Sequence, residues 1–368
     1  MGNPQLSDAE TLRYARHVIL PQFGEAGQLK LKAASVLVIG AGGLGSPLLL
    51  YLAAAGVGTI GIVDPDRVTI SNLQRQVLYG EKDLGKLKVE AAKARLNDLN
   101  PHVQIHTYPT YFTTSNALEL IASYDAIADG TDNFPTRYLV NDACVLGGKP
   151  YVYGSIFRFE GQVSVFNALG TDGQRGPNYR DLYPIPPLPD QVPNCATGGV
   201  LGVLPGIIGA LQANEVLKIL TGVGELLAGR LLLFDAAYLS QRTIQFPAQA
   251  ATSITELIDY EAFCGMPVQE ELPTMDLATF RALQQQQIAY TLLDVREPQE
   301  YAINNWGGIL IPLGQLAERW RELPAHQPII VHCQSGIRSA QAVSLLLKQG
   351  LSEVYNLAGG IADFPQAD

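Results

Sequence analysis

Two stretches of this 368-residue chain combine residue types at spacings suited to chemistry. The first is Gly40-Ala41-Gly42-Gly43-Leu44-Gly45, a full G-x-G-x-x-G between an apolar run, Val36 to Ile39, and a helical stretch. A second apolar run, Thr59 to Val63, ends in Asp64. Glycines let the backbone turn tightly and approach phosphate, and a helix N-terminus offers free N–H groups. An acid about 20 residues further on can hold ribose hydroxyls. Alone, this stretch says "nucleotide", with NAD as the default. The second stretch is Cys333-Gln334-Ser335-Gly336-Ile337-Arg338, after the apolar run Pro328 to His332 and before a helix. Loop N–H groups and the helix dipole there form an anion cradle that stabilises a thiolate.

Other polar residues narrow the first site. Asp66 and Ser71-Asn72-Leu73-Gln74-Arg75-Gln76 follow Asp64, and a dinucleotide dehydrogenase has no need of them. Asn72 and Arg75 stand where they could reach a phosphate chain. Lys86, Lys88 and Lys93 lie on a helical stretch, Gly85 to Leu99, where lysines commonly face solvent. Asp129-Gly130-Thr131-Asp132-Asn133 ends another apolar run, and an Asp at the C-terminal end of a parallel strand sits at the ligand edge of such a sheet. Arg13 and Arg16 share one face of an N-terminal helix that Ser7 and Glu10 open as a capping box.

These residues need a scaffold of alternating strands and helices. Strands are expected at Val103 to His106, Ala126 to Ala128, Tyr151 to Ser155, Gln162 to Phe166 and Leu231 to Asp235, the last closing the domain. An apolar helix is expected from about Pro205 to Leu220. Residues 167–197 are rich in glycine and proline, which excludes a helix or an inner strand. Cys195 stands near the end of this long loop. The expected organisation is a first domain over 1–246, a linker over 247–273 and a small α/β domain over 274–368. In the last, Asp276 to Gln287 reads as helix, and Thr291 to Val295, Pro328 to His332 and Val354 to Leu357 read as strands. The fold class is α/β: a Rossmann-like domain with a mixed, mostly parallel sheet, and a second small α/β domain.

Composition limits the function. Hydrophobic residues make up 47% of the chain, enough for well-buried cores. A net charge of −10 and a pI near 5.0 argue against nucleic acid or an anionic membrane as partner. The apolar stretch 36–63 is broken by six glycines between Gly40 and Gly58 and by Pro47, which fits a βαβ unit better than a membrane span. The four cysteines, Cys144, Cys195, Cys264 and Cys333, form no C-x-x-C pair. Met1 to Ala9 is polar, with no signal peptide, so a reducing cytoplasm and free thiols are expected.

The Cys333 loop has four residues between Cys and Arg, where tyrosine phosphatases have five. The smaller ring suits a bound sulfur better than a tetrahedral phosphate. With Asp294-Val295-Arg296-Glu297, the loop resembles that of rhodanese sulfurtransferases. The glycine loop, Asp64, the Ser71 to Gln76 run, Lys88, Gly130 to Asn133 and the Arg13 to His17 segment together resemble the E1-like adenylyltransferases of the MoeB/ThiF family. That resemblance spans roughly residues 7–245, and the whole chain is similar to the MoeZ-like group, in which a rhodanese domain follows.

The resemblance implies an enzyme, an adenylyltransferase and sulfurtransferase. It would activate the C-terminal Gly-Gly carboxylate of a ubiquitin-like sulfur carrier with ATP and Mg²⁺, then convert it to a thiocarboxylate. Molybdenum-cofactor biosynthesis, other sulfur-containing cofactors, amino-acid synthesis and tRNA thiolation are the implied pathways. It implies Gly43, Ser71 and Asn133 at the nucleotide, Asp64 on the ribose, Asn72, Arg75 and Lys88 near the phosphates, and Asp132 on Mg²⁺. Arg16 would reach in from the other subunit of a homodimer. Cys333 would carry a persulfide within Gln334, Ser335, Gly336, Ile337 and Arg338, charged by a cysteine desulfurase or thiosulfate. Cys195 would act on the acyl-adenylate or in an acyl-disulfide step.

One departure matters. The family's usual zinc site has two C-x-x-C pairs, which here fall on Asn178 and Asp181 and on Glu261 and Cys264. One thiolate is left and Asn is a poor ligand, so no structural zinc is expected. Two other function classes compete: an NAD-dependent oxidoreductase fused to a rhodanese-type sulfur sensor, and a binding module whose rhodanese fold only scaffolds.

Overall fold

The computed structural model describes residues 5–187, 198–249, 253–265, 272–324 and 326–363. They fall into two compact units, Met1–Pro267 and Val268–Asp368.

In the first unit, short apolar segments form the buried strands. β1 (Ser35–Ile39) and β2 (Thr59–Val63) bury four of their five residues, as expected for strands covered on both faces. β3 (Gln104–Tyr108), β4 (Ala126–Asp129) and β5 (Tyr151–Phe157) complete the parallel part. β6 (Glu160–Phe166), β7 (Arg230–Asp235) and β8 (Ser240–Gln245) add to it antiparallel. The order is β3-β2-β1-β4-β5-β6-β7-β8. The chain leaves β1 toward β2 and later returns to place β4 on β1's other side, which makes a topological switch point beside β1. The register aligns Ile39 with Val63 and with Asp129, so the segments after β1, β2 and β4 emerge together.

Helix Gly45–Ala55 covers the sheet beside β1 and ends at Gly56, whose φ of 82° is left-handed. The apolar helix Leu204–Thr221 packs on it and on β5 and β6. Three expectations change. Asp235 does not close the sheet: β8 follows, an edge strand exposed throughout whose polar sequence carries no alternation to detect. The N-terminal helix is interrupted, running Asp8–Arg13 and then Ala15–Val18. Tyr14 turns inward between them, its hydroxyl accepting from Asn100 Nδ2 at 2.8 Å, so Arg13 and Arg16 lie on separate helices. Finally, part of the stretch expected as linker is packed on the first unit. Helix Tyr260–Phe263 buries Tyr260, whose hydroxyl donates to Asp142 at 2.8 Å.

The second unit is a parallel sheet ordered β11-β10-β12-β13-β9. Its strands are β9 (Thr274–Met275), β10 (Thr291–Asp294), β11 (Ile309–Leu310), β12 (Ile329–His332) and β13 (Val354–Leu357). β10 and β12 are fully buried. Helix Ile337–Lys348 packs back on β12 and β13. Cys333 therefore stands between the end of a buried strand and the start of a helix.

Candidate active sites

The segments after β1, β2 and β4 line a cleft of about 300 Å³. Gly40 has φ of 89°, a backbone that favours glycine. A Cβ on Gly45 would stand 2.1 Å from the Gly40 carbonyl oxygen, so the turn closes only with glycine there. Asp64 is held at the cleft by two main-chain donors, Ala41 N and Asp66 N, each at 2.8 Å. Burial pushes its carboxyl above the ordinary range, against the pull of Lys88 and these amides. Lys88 begins helix Lys88–Leu99 and is itself buried. Its ammonium lies 2.8 Å from Asp66 and 4.0 Å from Asp64. Arg75 is half-buried, with a guanidinium donor 3.2 Å from the Ser71 carbonyl. The cleft thus offers the carboxylates of Asp64 and Asp66 with Lys88 set against them, and a second cation in Arg75.

Of the residues expected from sequence, Gly43, Asp64, Asn72, Arg75, Lys88, Asp132 and Asn133 line this cleft. Ser71 and Arg16 are not among the lining residues. The Ser71 hydroxyl lies 3.1 Å from that of Thr69, and Arg16 is exposed on helix Ala15–Val18. Asn133 has a structural task as well. Its side-chain oxygen caps helix Phe134–Leu146, accepting from Thr136 N at 2.9 Å. The acid at the end of β4, Asp129, is buried and bonded to Thr131 and Tyr151, so Asp132 is the one that reaches the cleft. Cys195 lies outside the described residues. Gln76, read as part of the Ser71 to Gln76 run, lines the cleft too, while sequence reasoning missed Tyr111, Phe112 and Ile156, which also line it. Tyr111 and Phe112 closely follow β3, and strand C-terminal ends are where such sheets hold ligands, a signal that was available.

In the second unit, Cys333 is fully buried at the base of its loop. Its sulfur accepts from Gly336 N at 3.2 Å and from the Ser339 hydroxyl at 3.5 Å. Burial pushes the thiol up, but the Ser339 hydroxyl and the amides of Ser339, Ser335 and Gly336 outweigh it and hold the thiol below its ordinary value. Gly336 has φ of 87°, which turns the loop into the helix. Arg338 is clamped by both oxygens of Glu300 at 2.7 Å each. That pairing pulls the Glu300 carboxyl down to about 2. Buried Arg296 pairs with Asp294, with a shortest contact of 2.7 Å, and reaches within 3.5 Å of Gln334. An arrangement that holds a thiolate among N–H donors can hold the outer sulfur of a persulfide in the same way.

Two of the four positions expected to lack zinc, Asn178 and Asp181, are committed to hydrogen bonds within the protein. Asn178 caps helix Tyr179–Leu182, its side-chain oxygen accepting from Arg180 N and from Asn141. Asp181 accepts from Asn178 and from Gln249 N. Burial and then the nearby Glu261 carboxylate push the Cys264 thiol up to about 11, which opposes the thiolate a metal needs. This donor set does not fit zinc. The two helices are instead bridged by Arg180, which makes two bonds to buried Asp142, at 2.8 and 2.7 Å, and lies 4.4 Å from the Phe263 ring centre.

Comparison with known proteins bears directly on this pair of sites. The sequence profile of the ThiF family matches residues 14–254. The chain belongs to the ThiF family. A rhodanese-like domain matches residues 277–367. Among relatives of this ThiF-family chain is a probable adenylyltransferase/sulfurtransferase MoeZ of Mycobacterium tuberculosis, 48% identical over 97% of this chain and 93% of that protein. A sulfur carrier protein adenylyltransferase of Thermus thermophilus is 53% identical over 69% of this chain and 96% of that one. The adenylyltransferase and sulfurtransferase MOCS3 of Sus scrofa is 44% identical over 96% of this chain and 84% of that one. A solved structure of E. coli MccB with a MccA peptide variant aligns at a TM-score of 0.59 and 22% identity, over 66% of this chain and 74% of that chain, a likeness of fold. This ThiF-family chain is an enzyme, an ATP-using adenylyltransferase and a sulfurtransferase. The NAD-oxidoreductase reading finds no support. No helix among the described residues is long and apolar enough to cross a membrane.

Proposed function

We propose that the enzyme activates the C-terminal Gly-Gly carboxylate of a ubiquitin-like sulfur carrier and gives it the sulfur held on Cys333. One observation carries this reading: a single chain holds both a nucleotide cleft with Asp64, Arg75, Lys88 and Asp132 and a cysteine in an amide cradle. The name of the Thermus relative supports the choice of substrate.

In this reading a carboxylate oxygen of the carrier attacks the α-phosphorus of ATP, and pyrophosphate leaves. Asp64 holds the ribose, Gly43 lets the chain approach the nucleotide, and Ser71, Asn72 and Asn133 border it. Arg75 and Lys88 neutralise charge on the phosphates as it shifts to the leaving group. Arg16 of the partner subunit in a homodimer adds a further cation, consistent with its exposure and its absence from the lining of its own cleft. Asp132 is an exposed carboxylate at the cleft, a hard oxygen donor of the kind Mg²⁺ takes together with phosphates, so it fits that ion. Bound there, Mg²⁺ would supply charge neutralisation.

The outer sulfur of the Cys333 persulfide then attacks the acyl carbon and AMP leaves, forming an acyl disulfide. Cys195 attacks the Cys333 sulfur, which releases the thiocarboxylate and leaves a Cys195–Cys333 disulfide for an external thiol to reduce. The sulfur comes from a cysteine desulfurase or thiosulfate, and the setting is the cytoplasm. The test is ATP–pyrophosphate exchange with a small β-grasp protein ending in Gly-Gly. Exchange that depends on the carrier, with a carrier mass gain matching oxygen replaced by sulfur, is expected. NAD binding without ATP binding would overturn the proposal.

A further inference from the structure

The loop that holds Cys333 has its positive charge already paired. Arg338 is the loop's own cation, and Glu300 takes two of its guanidinium nitrogens, each at 2.7 Å. Helix Pro298–Ile303 holds Glu300 for this: the carboxylate oxygen that meets Arg338 Nη1 also accepts from Glu297 N at 3.0 Å. A second guanidinium, Arg296, is buried and occupied by Asp294 and by the Asn304 carbonyl at 2.6 Å. Glu297 lies close enough to act on Arg338, and Arg296 close enough to act on Glu300, so these charges form one group. Among these described residues, the carboxylates of Asp294, Glu297 and Glu300 stand against two guanidiniums, and the Cys333 thiolate adds a further negative charge. The thiolate itself is held by uncharged donors, Gly336 N and the Ser339 hydroxyl. Burial pushes the adjacent His332 imidazole below its ordinary value, so it adds no charge near neutral pH. The remaining loop side chains, Gln334, Ser335 and Ile337, are exposed and uncharged.

A sulfur donor must approach Cys333 through this field. Thiosulfate arrives as a dianion and leaves as sulfite, also a dianion, so it meets like charge before and after the transfer. We infer that Glu300 is a donor-specificity residue: by neutralising Arg338 it turns the loop away from thiosulfate and toward an organic persulfide, R–S–SH, which carries at most one charge on its sulfur. In that transfer the Cys333 thiolate attacks the outer donor sulfur. The bond between the two donor sulfurs breaks, its electron pair goes to the inner one, R–S⁻ leaves, and Cys333 holds –S–SH. Ile337 is 69% exposed, and Ile303, one turn beyond Glu300, is 86% exposed. They leave apolar surface on the two segments the clamp joins, which suits an organic R group and offers no donor to the oxygens of thiosulfate.

The inference rests on the reading that Cys333 accepts sulfur, and the test separates the two. Full-length wild type and Glu300→Gln are given thiosulfate, free cysteine persulfide or a persulfide-loaded cysteine desulfurase, and sulfur on Cys333 is followed by intact mass. Sulfur from none of the three would sink the acceptance reading itself. With sulfur accepted, wild type should take it from an organic persulfide ahead of thiosulfate; either persulfide source supports the inference, and the faster one names the source. Thiosulfate matching or outpacing both in wild type overturns it. In Glu300→Gln the kcat/KM for thiosulfate, taken relative to that for cysteine persulfide, should rise about tenfold, the scale of one like charge removed from the approach. A Glu300 that only shapes the loop would lower both donors together and leave that ratio unchanged, which overturns the inference. Should Glu300→Gln fail to fold, salt decides in wild type. Added salt screens like-charge repulsion and should speed thiosulfate relative to cysteine persulfide; no change in their ratio overturns the inference.

Discussion

Cys333 shows how a few donors change one atom. Burial alone would keep its thiol protonated, yet Ser339 and the loop amides hold it below its ordinary value. A depressed thiol keeps its thiolate down to lower pH, so sulfur acceptance should fall only as pH drops through that lowered value. Ser339→Ala removes a donor, so the acid limb of the sulfur-acceptance rate should move to higher pH, read from a pH–rate profile. A limb that does not move would remove Ser339 from the account. In the cleft, Lys88 is the buried cation between Asp64 and Asp66. Lys88→Ala should lower pyrophosphate exchange by about 10²-fold or more, the scale for losing a charged contact at a transferring group.

At the level of elements, the connection near Asn178 and the segment near Cys264 meet through Arg180, Asp142 and Tyr260. Breaking a buried pair leaves an uncompensated charge, here Asp142 at 1% exposure. Arg180→Met should therefore destabilise the first unit by about 3–5 kcal/mol. Tyr260→Phe should cost about 1–3 kcal/mol, since one bond to the same carboxylate is lost. Both are read by denaturant unfolding. Chelators should leave the Tm unchanged; near-stoichiometric zinc in protein stripped of loosely bound ions would overturn the metal-free reading. Elements with strong patterns, β1, β2, β10 and β12, were legible because buried parallel strands are short apolar runs. β8 was not, because an exposed edge strand of polar residues has no periodic signal. The break at Tyr14 depends on Asn100, 86 positions away, which no local window contains.

At the scale of the whole molecule, the two chemistries belong to separate compact units and should part cleanly under point substitution. Cys333→Ala should keep carrier-dependent pyrophosphate exchange near wild type and abolish thiocarboxylate formation. Lys88→Ala should do the reverse for the first step while Cys333 still accepts sulfur, read by intact mass after donor treatment. Loss of both activities in either variant would argue against two independent sites.

The α/β class and the two chemistries were determined by sequence alone, and seven of the residues expected at the nucleotide line the cleft. Glycine loops, strand-end acids and a cysteine before a helix act through neighbours a few positions away, so their spacing already encodes their geometry. Tertiary structure decided which polar groups find partners. It spread Arg13 and Arg16 over two helices, gave Asn133 a capping bond, buried Asp129 and left the Gln76 amide oxygen without a partner among the described residues. Burial and pairing are set by segments distant in the chain, and for a buried polar atom the partner it lacks is visible only once every other segment is in place.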